Sequence, residues 1–366
     1  MEADKRLRHY TLLLLFGVLL VYVLVQAREF LYPILMAVLF SYLLYPVGKW
    51  LETKGLPRVL ANFITVVGAM AIFIGALLLL YKQLIVFLSD FPELQEEAMH
   101  NLDRLQQNID RRFGETNPED KHWLQAQIGN ALEMSGNFLK DILMATTGTL
   151  AKLGLMPVYI FLFLYYRNKF EAFVYRQTSE ARQVAIRKVI AEISQVTKHY
   201  MAGVVRVILI LCVLNSTGLL LIGVDYWLLL GLISAFINFI PYFGTLIGGA
   251  VPLLYTLLVQ GDPHKALLVL LFFLLVQFTE NNILTPNITG SKVNINPLFT
   301  ILSIIVGGMI WGLPGMFLAV PYLGMFKVYC DHHEHLQGWS YMLGTEGTEQ
   351  HALTFEKIKK MFRNKR

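Results

Sequence analysis

The sequence predicts an all-α polytopic membrane protein of about eight transmembrane segments, the sixth and eighth of them broken in the middle. Three observations predict it. Of 366 residues, 55% are hydrophobic and only 16% charged, whereas soluble domains carry about 25% charge. The apolar residues are gathered into runs long enough to cross roughly 30 Å of hydrocarbon at 1.5 Å per residue. Two of the runs are too long for one crossing, and each is interrupted by Pro and Gly. This balance disfavours a cytosolic enzyme and excludes a disordered chain.

Taken in order, the spans are Tyr10 to Val25, Phe30 to Val47, Ala61 to Tyr81 and Gly148 to Tyr166, with no charge at the centre of any of them. Val204 to Val224, Trp227 to Val259, Ala266 to Gln277 and Pro297 to Val328 follow. Val25-Gln26-Ala27 has the small-residue look of a signal-peptide cleavage site. The second span follows within a few residues, so an uncleaved first span is the preferred reading. Cys212 and Cys330 both lie in apolar runs, which leaves no disulfide framework or metal quartet.

Lys and Arg set the orientation. Lys5, Arg6 and Arg8 precede the first span, and Lys49, Lys54 and Arg58 fill the second loop. Arg167, Lys169, Arg176, Arg182, Arg187, Lys188, Lys198 and Arg206 follow the fourth span, and the tail ends in Lys357, Lys359, Lys360, Arg363, Lys365 and Arg366. Alternating helices put all four groups on one side, so both termini are expected in the cytoplasm.

The resulting organisation is helices one to three over 1–88, an extracytoplasmic amphipathic hairpin over 89–147 and a fourth span over 148–166. Basic cytoplasmic amphipathic helices occupy 167–203, a C-terminal core 204–330, and a basic cytoplasmic tail 331–366. In the first insertion Leu94, Ala98, Leu102, Leu105 and Ile109 recur at helical steps. Asn117-Pro118-Glu119-Asp120 opens a second helix whose stripe is Leu124, Ile128, Leu132, Ser135 and Leu139. The second insertion carries Phe170, Phe173, Val174, Ala181, Val184, Ile193 and Val196 on its apolar side. Basic amphipathic helices suit an anionic membrane surface, and inter-subunit contact is expected there too. Nucleic acid is not an expected partner.

Trp227 to Gln260 would span about 51 Å as one helix. It is interrupted by Asn238-Phe239-Ile240-Pro241-Tyr242-Phe243-Gly244. Pro297 to Tyr329 is interrupted in the same way by Trp311-Gly312-Leu313-Pro314-Gly315. At an offset of 69, Leu229, Ser234, Ala250-Val251-Pro252 and Leu254 match Leu298, Ser303, Ala319-Val320-Pro321 and Leu323. The core is therefore read as an internal repeat of one spanning helix plus one broken segment. A broken span would cross the bilayer once, and a re-entrant hairpin would return to the face it entered. Arm length favours hairpins, and their tips are the place to look for a transport pathway.

The seventh segment ends in Gln277-Phe278-Thr279-Glu280-Asn281-Asn282 and continues to Thr285-Pro286-Asn287 and Gly290. An intramembrane acid marks a functional site by default, so Glu280 is the candidate proton or cation site. Asn281 and Asn282 could offer amide groups to a polar solute. Two readings of Glu280 stand open: an acid at membrane depth, or a solvated acid at the headgroup boundary. Asn238, Pro241, Tyr242, Gly244, Pro286, Gly312 and Gly315 complete the candidate pathway residues. For Asn238 the alternative is a helix cap, and for the glycines close packing and turning. Asn215-Ser216-Thr217 reads as helix packing. His332, His333 and His335 lack ligand spacing, and no nucleotide-binding or hydrolase motif is present. No cofactor or metal is expected, and no enzyme.

These C-terminal residues resemble the autoinducer-2 exporter family of bacterial permeases. The resemblance rests on Asn238 through Gly244 with Pro252, on Asn282-Ile283-Leu284-Thr285-Pro286 with Gly290 and Asn296-Pro297, and on Gly307-Gly308, Gly312, Gly315 and Ala319-Val320-Pro321. It implies an eight-segment permease of the bacterial plasma membrane, assembled as a homo-oligomer. Family members are linked to export of the furanone-type quorum signal autoinducer-2, and some to sodium or lithium exchange for protons. Relatives often carry Asp near the end of the seventh segment, where this chain has Glu280. The expected partners are thus the lipid bilayer and a small polar solute or a monovalent cation and proton. Three functions follow as expectations: a secondary exporter of an autoinducer-2-like solute, a Na+(Li+)/H+ antiporter using Glu280, or a non-transporting scaffold.

Overall fold

Every described element of the computed structural model is helical. It describes residues 2–113, 154–238, 244–289 and 295–346, with 123, 125–130, 133, 136 and 137 between the first two stretches. The elements are α1 (Glu2–Gln26), α2 (Arg28–Thr53), α3 (Arg58–Phe113), α4 (Met156–Tyr165), α5 (Arg167–Arg176) and α6 (Glu180–Ile222). Then come α7 (Trp227–Ile237), α8 (Gly244–Leu254) with a π-helical turn Tyr255–Val259, and α9 (Pro263–Thr279) with a π-helical stretch Glu280–Thr289. The chain continues through α10 (Pro297–Trp311), α11 (Leu313–Asp331) and α12 (Gln337–Leu343). Six helical stretches among the described residues are long and apolar enough to cross a bilayer.

Two predicted junctions are absent. The third span and the first amphipathic helix form one 56-residue helix, α3. Between Tyr81 and Ser89 there is no Gly or Pro to stop it, and Pro92 is accommodated inside. The basic amphipathic stretch likewise runs into the fifth span as the single helix α6. The second amphipathic helix is helical where it is described, over 125–130. Its cap at 117–120 and the start of the fourth span at 148–153 lie outside the described residues.

The chain divides into two compact units. The central unit comprises Pro33–Arg167 and Met201–Gly290. Ala37, Val66, Ile160 and Leu164 form one of its cores, joining α2, α3 and α4. Ala98, Leu219, Val224, Leu230, Tyr255, Val259 and Val269 form another, which holds the far half of α3 to the later helices. Here α7 and α8 double back on each other. Ser234 Oγ donates to Gly248 O at 2.5 Å, and a Cβ on Gly244 would overlap Asn238. Pairing in which residue numbers fall on one arm as they rise on the other is antiparallel. Both feet of this hairpin rest on the same end of α3. Tyr226 Oη donates to Asp90 Oδ2 at 2.5 Å, and Asn101 Nδ2 donates to Leu258 O and Val259 O at 3.1 and 2.8 Å. From these feet Asp262 caps α9, accepting from His264 N and Lys265 N at 3.0 Å each, with Pro263 in its first turn.

The terminal unit comprises Met1–Tyr32, Asn168–Tyr200 and Ser291–Arg366. Asn296 caps α10 by accepting from Leu298 N at 3.0 Å, again with Pro in the first turn. Gly312 alone links α10 to α11, at φ 64° and ψ −142°, a conformation that favours glycine. Gly307 and Gly315 meet backbone to backbone across this hairpin, where neither leaves room for a Cβ. Small residues allow that approach, and close packing is the main force between helices in lipid. Trp311 Nε1 ties the tip to Leu24 O of α1 at 2.9 Å. The offset of 69 pairs Gly244 with Leu313, the first residues of the two return arms, and Pro252 of α8 with Pro321 of α11.

Candidate functional site

The site is built in the central unit where the tip of the α7/α8 hairpin meets the end of α9. Asn238 closes α7, and Gly244 opens α8 close enough that a side chain there would collide with Asn238. Glu280 is the first residue after α9, where the backbone widens into π-helix. Such widening is frequent at functional positions. Asn238 Nδ2 donates to Glu280 Oε1 at 2.6 Å. Glu280 is only 9% exposed, and its Oε2 has no hydrogen-bond partner among the described residues. A buried acid with one oxygen held and the other free can take a proton, a cation or a solute hydroxyl on the free oxygen.

An apolar layer lies beside this pair. Val207 and Leu211 of α6, Ala235 of α7 and Val276 of α9 pack together, one turn back from Asn238 and Glu280 on their own helices. On the far side of the layer α6 and α7 press together at Ser216 and Gly231, again without room for a Cβ. Asn215, 3% exposed, leaves its Oδ1 there without a partner among the described residues, as Ser216 leaves its Oγ. Polar groups therefore sit on both sides of an apolar seal.

At the hairpin feet a polar cleft of about 1140 Å³ is lined by side chains that include Asp90, Glu97, Arg104, Asp225, Asp262 and Lys265. Gln260 Nε2 donates to Asp225 Oδ2 at 2.8 Å, and Lys265 Nζ donates to Gly223 O at 3.1 Å. The Lys265 N–H, and after it the His264 N–H, donate to the Asp262 carboxylate and hold its pKa below the ordinary aspartate value.

A family model described as AI-2E family transporter matches residues 12–334. The chain belongs to the AI-2E transporter family. It is 28% identical to YrrI of Bacillus subtilis (strain 168) over 319 residues, covering 82% of this chain and 85% of the relative. It is 25% identical to YhhT of Escherichia coli (strain K12) over 333 residues, 90% of this chain and 92% of that one. It is also 25% identical to the AI-2 transport protein TqsA of Escherichia coli (strain K12) over 312 residues, 82% and 86% of the two chains. The resemblance read from the C-terminal motifs thus holds over nearly the whole chain, and with it a multi-pass membrane protein of a transport family.

Asn238, Gly244 and Glu280 come together. Asn281 and Asn282 are exposed in the π-helical stretch, and Asn282 Nδ2 donates back to Phe278 O at 2.8 Å. Pro286 belongs to the backbone of the same stretch. Pro241 and Tyr242 lie outside the described residues. Gly312 and Gly315 serve the other hairpin, as its turn and its closest contact. Sequence reasoning assigned Asn215 to helix packing, without its free Oδ1, and passed over the polar cleft. A polar triplet in an otherwise apolar span, with Asn215 and Ser216 buried and Thr217 exposed, was the available signal for the first. For the second there was none, because its walls come from three separate parts of the chain.

Proposed function

We propose that this AI-2E family member is a secondary transporter that exports a small polar solute, with Asn238 and Glu280 as its binding point. The observation that carries this reading is the free, buried Glu280 Oε2 at the tip of a doubled-back hairpin. Irregular backbone at membrane depth is tolerated where protein buries it or a wet cavity lines it, and half-helix ends at such breaks are where transporters place their solutes. Asn238, which holds Glu280, lies about 17 Å from Trp227 along the α7 axis, roughly half of a 30 Å core, and this supports an acid within the bilayer. α7 and α8 then form a re-entrant hairpin open to the extracytoplasmic side, and the polar cleft at its feet is the outer vestibule. The apolar layer seals the path, and displacement of the C-terminal repeat opens it. Similarity to the AI-2 transport protein TqsA supports an autoinducer-2-like cargo, the family resemblance supports a homo-oligomer in the bacterial plasma membrane, and the Lys and Arg distribution supports cytoplasmic termini.

The same free oxygen favours a second reading, Na+(Li+)/H+ antiport through Glu280. Flux in proteoliposomes tests both. If a neutral solute is exported, autoinducer-2 efflux survives Glu280→Gln, which keeps an acceptor for Asn238, and is lost in Asn238→Ala. If cations are exchanged, sodium flux under a pH gradient is abolished by Glu280→Gln. Wild-type protein that moves neither would overturn transport in favour of a scaffold.

A further inference from the structure

At the opposite end of the central unit from the cleft, α2 ends, α3 begins and α4 gives way to α5. One carboxylate there faces three cations. Arg167 Nη2 donates to Glu52 Oε1 and Oε2 at 2.8 and 2.7 Å. Lys49 Nζ stands 3.6 Å and Arg58 Nε 3.8 Å from the same carboxylate. Those two distances exceed a good N–H···O bond, so Lys49 and Arg58 keep donor capacity to spare. The Arg167 side chain is 16% exposed and lies over the Tyr45 ring at 5.0 Å. Its Nη1 is buried with no hydrogen-bond partner among the described residues. Lys54 adds a fourth cation 5.8 Å from the Trp50 ring centre. Three cations against one carboxylate leave an excess of positive charge, and the accessible donors of Lys49 and Arg58 suit an anion with several oxygens.

We propose that this end of the central unit binds the phosphate of an anionic phospholipid headgroup. The apolar surroundings choose lipid over free phosphate. Val47, Leu60 and Phe63 are all exposed beside the cluster, which leaves apolar surface for acyl chains next to the basic groups. Trp50, 57% exposed, is the residue type that settles at headgroup level. The Lys and Arg distribution makes this end cytoplasmic, and basic pockets between helices on that side suit anionic headgroups. Glu52 prevents the three cations from repelling one another when no lipid is bound. Lys49 and Arg58 are the donors to the phosphate, and Arg167 behind them holds Glu52 in place.

The test is titration of the full-length protein in a neutral detergent with phosphatidylglycerol, phosphatidylcholine and inorganic phosphate, read by native mass spectrometry and by thermal unfolding. The expected result is retention of phosphatidylglycerol with a raised unfolding temperature, and neither effect from phosphatidylcholine. In K49Q/R58Q the concentration for half-saturation rises roughly thirtyfold, at about fivefold per basic charge lost. Arg167 stays in place in that variant, so Glu52 is not left unpaired. The charge-conserving K49R/R58K binds as the wild type does. Equal retention of phosphatidylcholine, unchanged affinity in K49Q/R58Q, or loss of affinity in K49R/R58K overturns the proposal. Competition by inorganic phosphate at millimolar level, matching the lipid's effect, replaces it with a soluble-anion site.

Discussion

Replacing Asn238 with Ala removes the donor that holds Glu280 and leaves both carboxyl oxygens without a hydrogen-bond partner among the described residues, in a site 9% exposed. A hydrogen bond contributes about 0.5–1.5 kcal/mol between neutral groups and about 1.5–3 kcal/mol to a charged one, and a buried acceptor left unsatisfied costs about 1–3 kcal/mol. The bond is short, at 2.6 Å, and Gly244 holds the backbone of Asn238 tightly from behind, so little relaxation is available. The expected loss is about 2 kcal/mol. The same substitution made in Glu280→Leu should be close to neutral, because it then removes only an orphaned amide. A double-mutant cycle on Asn238→Ala and Glu280→Leu, followed by tryptophan fluorescence during unfolding in mixed micelles, therefore predicts a coupling of about 2 kcal/mol. If Asn238→Ala costs the same in both backgrounds, the side-chain bond does not hold the tip to α9. The site would then reduce to a helix end beside an acid.

Other substitutions probe the frame around the site. Gly312→Ala must place a Cβ at φ 64° and ψ −142°, and should cost about 1–3 kcal/mol in unfolding although nothing lies within 4 Å of the new atom. A cost near zero would show that the α10/α11 turn is not held in that conformation. Asp262 has its pKa lowered by the two amide donors it caps, so its contribution is present above the unfolded-state value and lost as pH falls through the folded one. Asp262→Asn should keep the cap while removing that acid-side loss of stability, measured as unfolding temperature against pH. An unchanged profile would assign the acid sensitivity to other carboxylates.

Much of the frame was legible along the chain because its signals are local. A run of apolar residues at 1.5 Å per residue announces a span wherever it occurs. Asn238, Pro241 and Gly244 announce an interruption because they lack helix-compatible backbone or side-chain behaviour. The two arms of Trp227 to Val259 were each too short to cross, and they do lie antiparallel. The length of α3 was less legible. A change from apolar to amphipathic composition looks like a boundary, yet the backbone bonds of a helix are indifferent to which face is greasy, and no residue between Tyr81 and Ser89 interrupts them.

The site divides along the same line. Hydropathy, breakers and charge determined that Asn238 lies at a break and Glu280 at the end of an apolar helix, each for its own reason. That these two residues, 42 positions apart, share a hydrogen bond was decided only by tertiary structure. Ala235 and Val276, one turn away, share an apolar cluster with Val207 and Leu211 that brings α7 and α9 together. The helical rotation that turns Glu280 inward leaves its neighbours Asn281 and Asn282 exposed. The Glu52–Arg167 pair, 115 positions apart, is the same case at the other end of the unit. A partner across such a distance is selected by how helices interlock, and that depends on shape complementarity between surfaces that no local window contains.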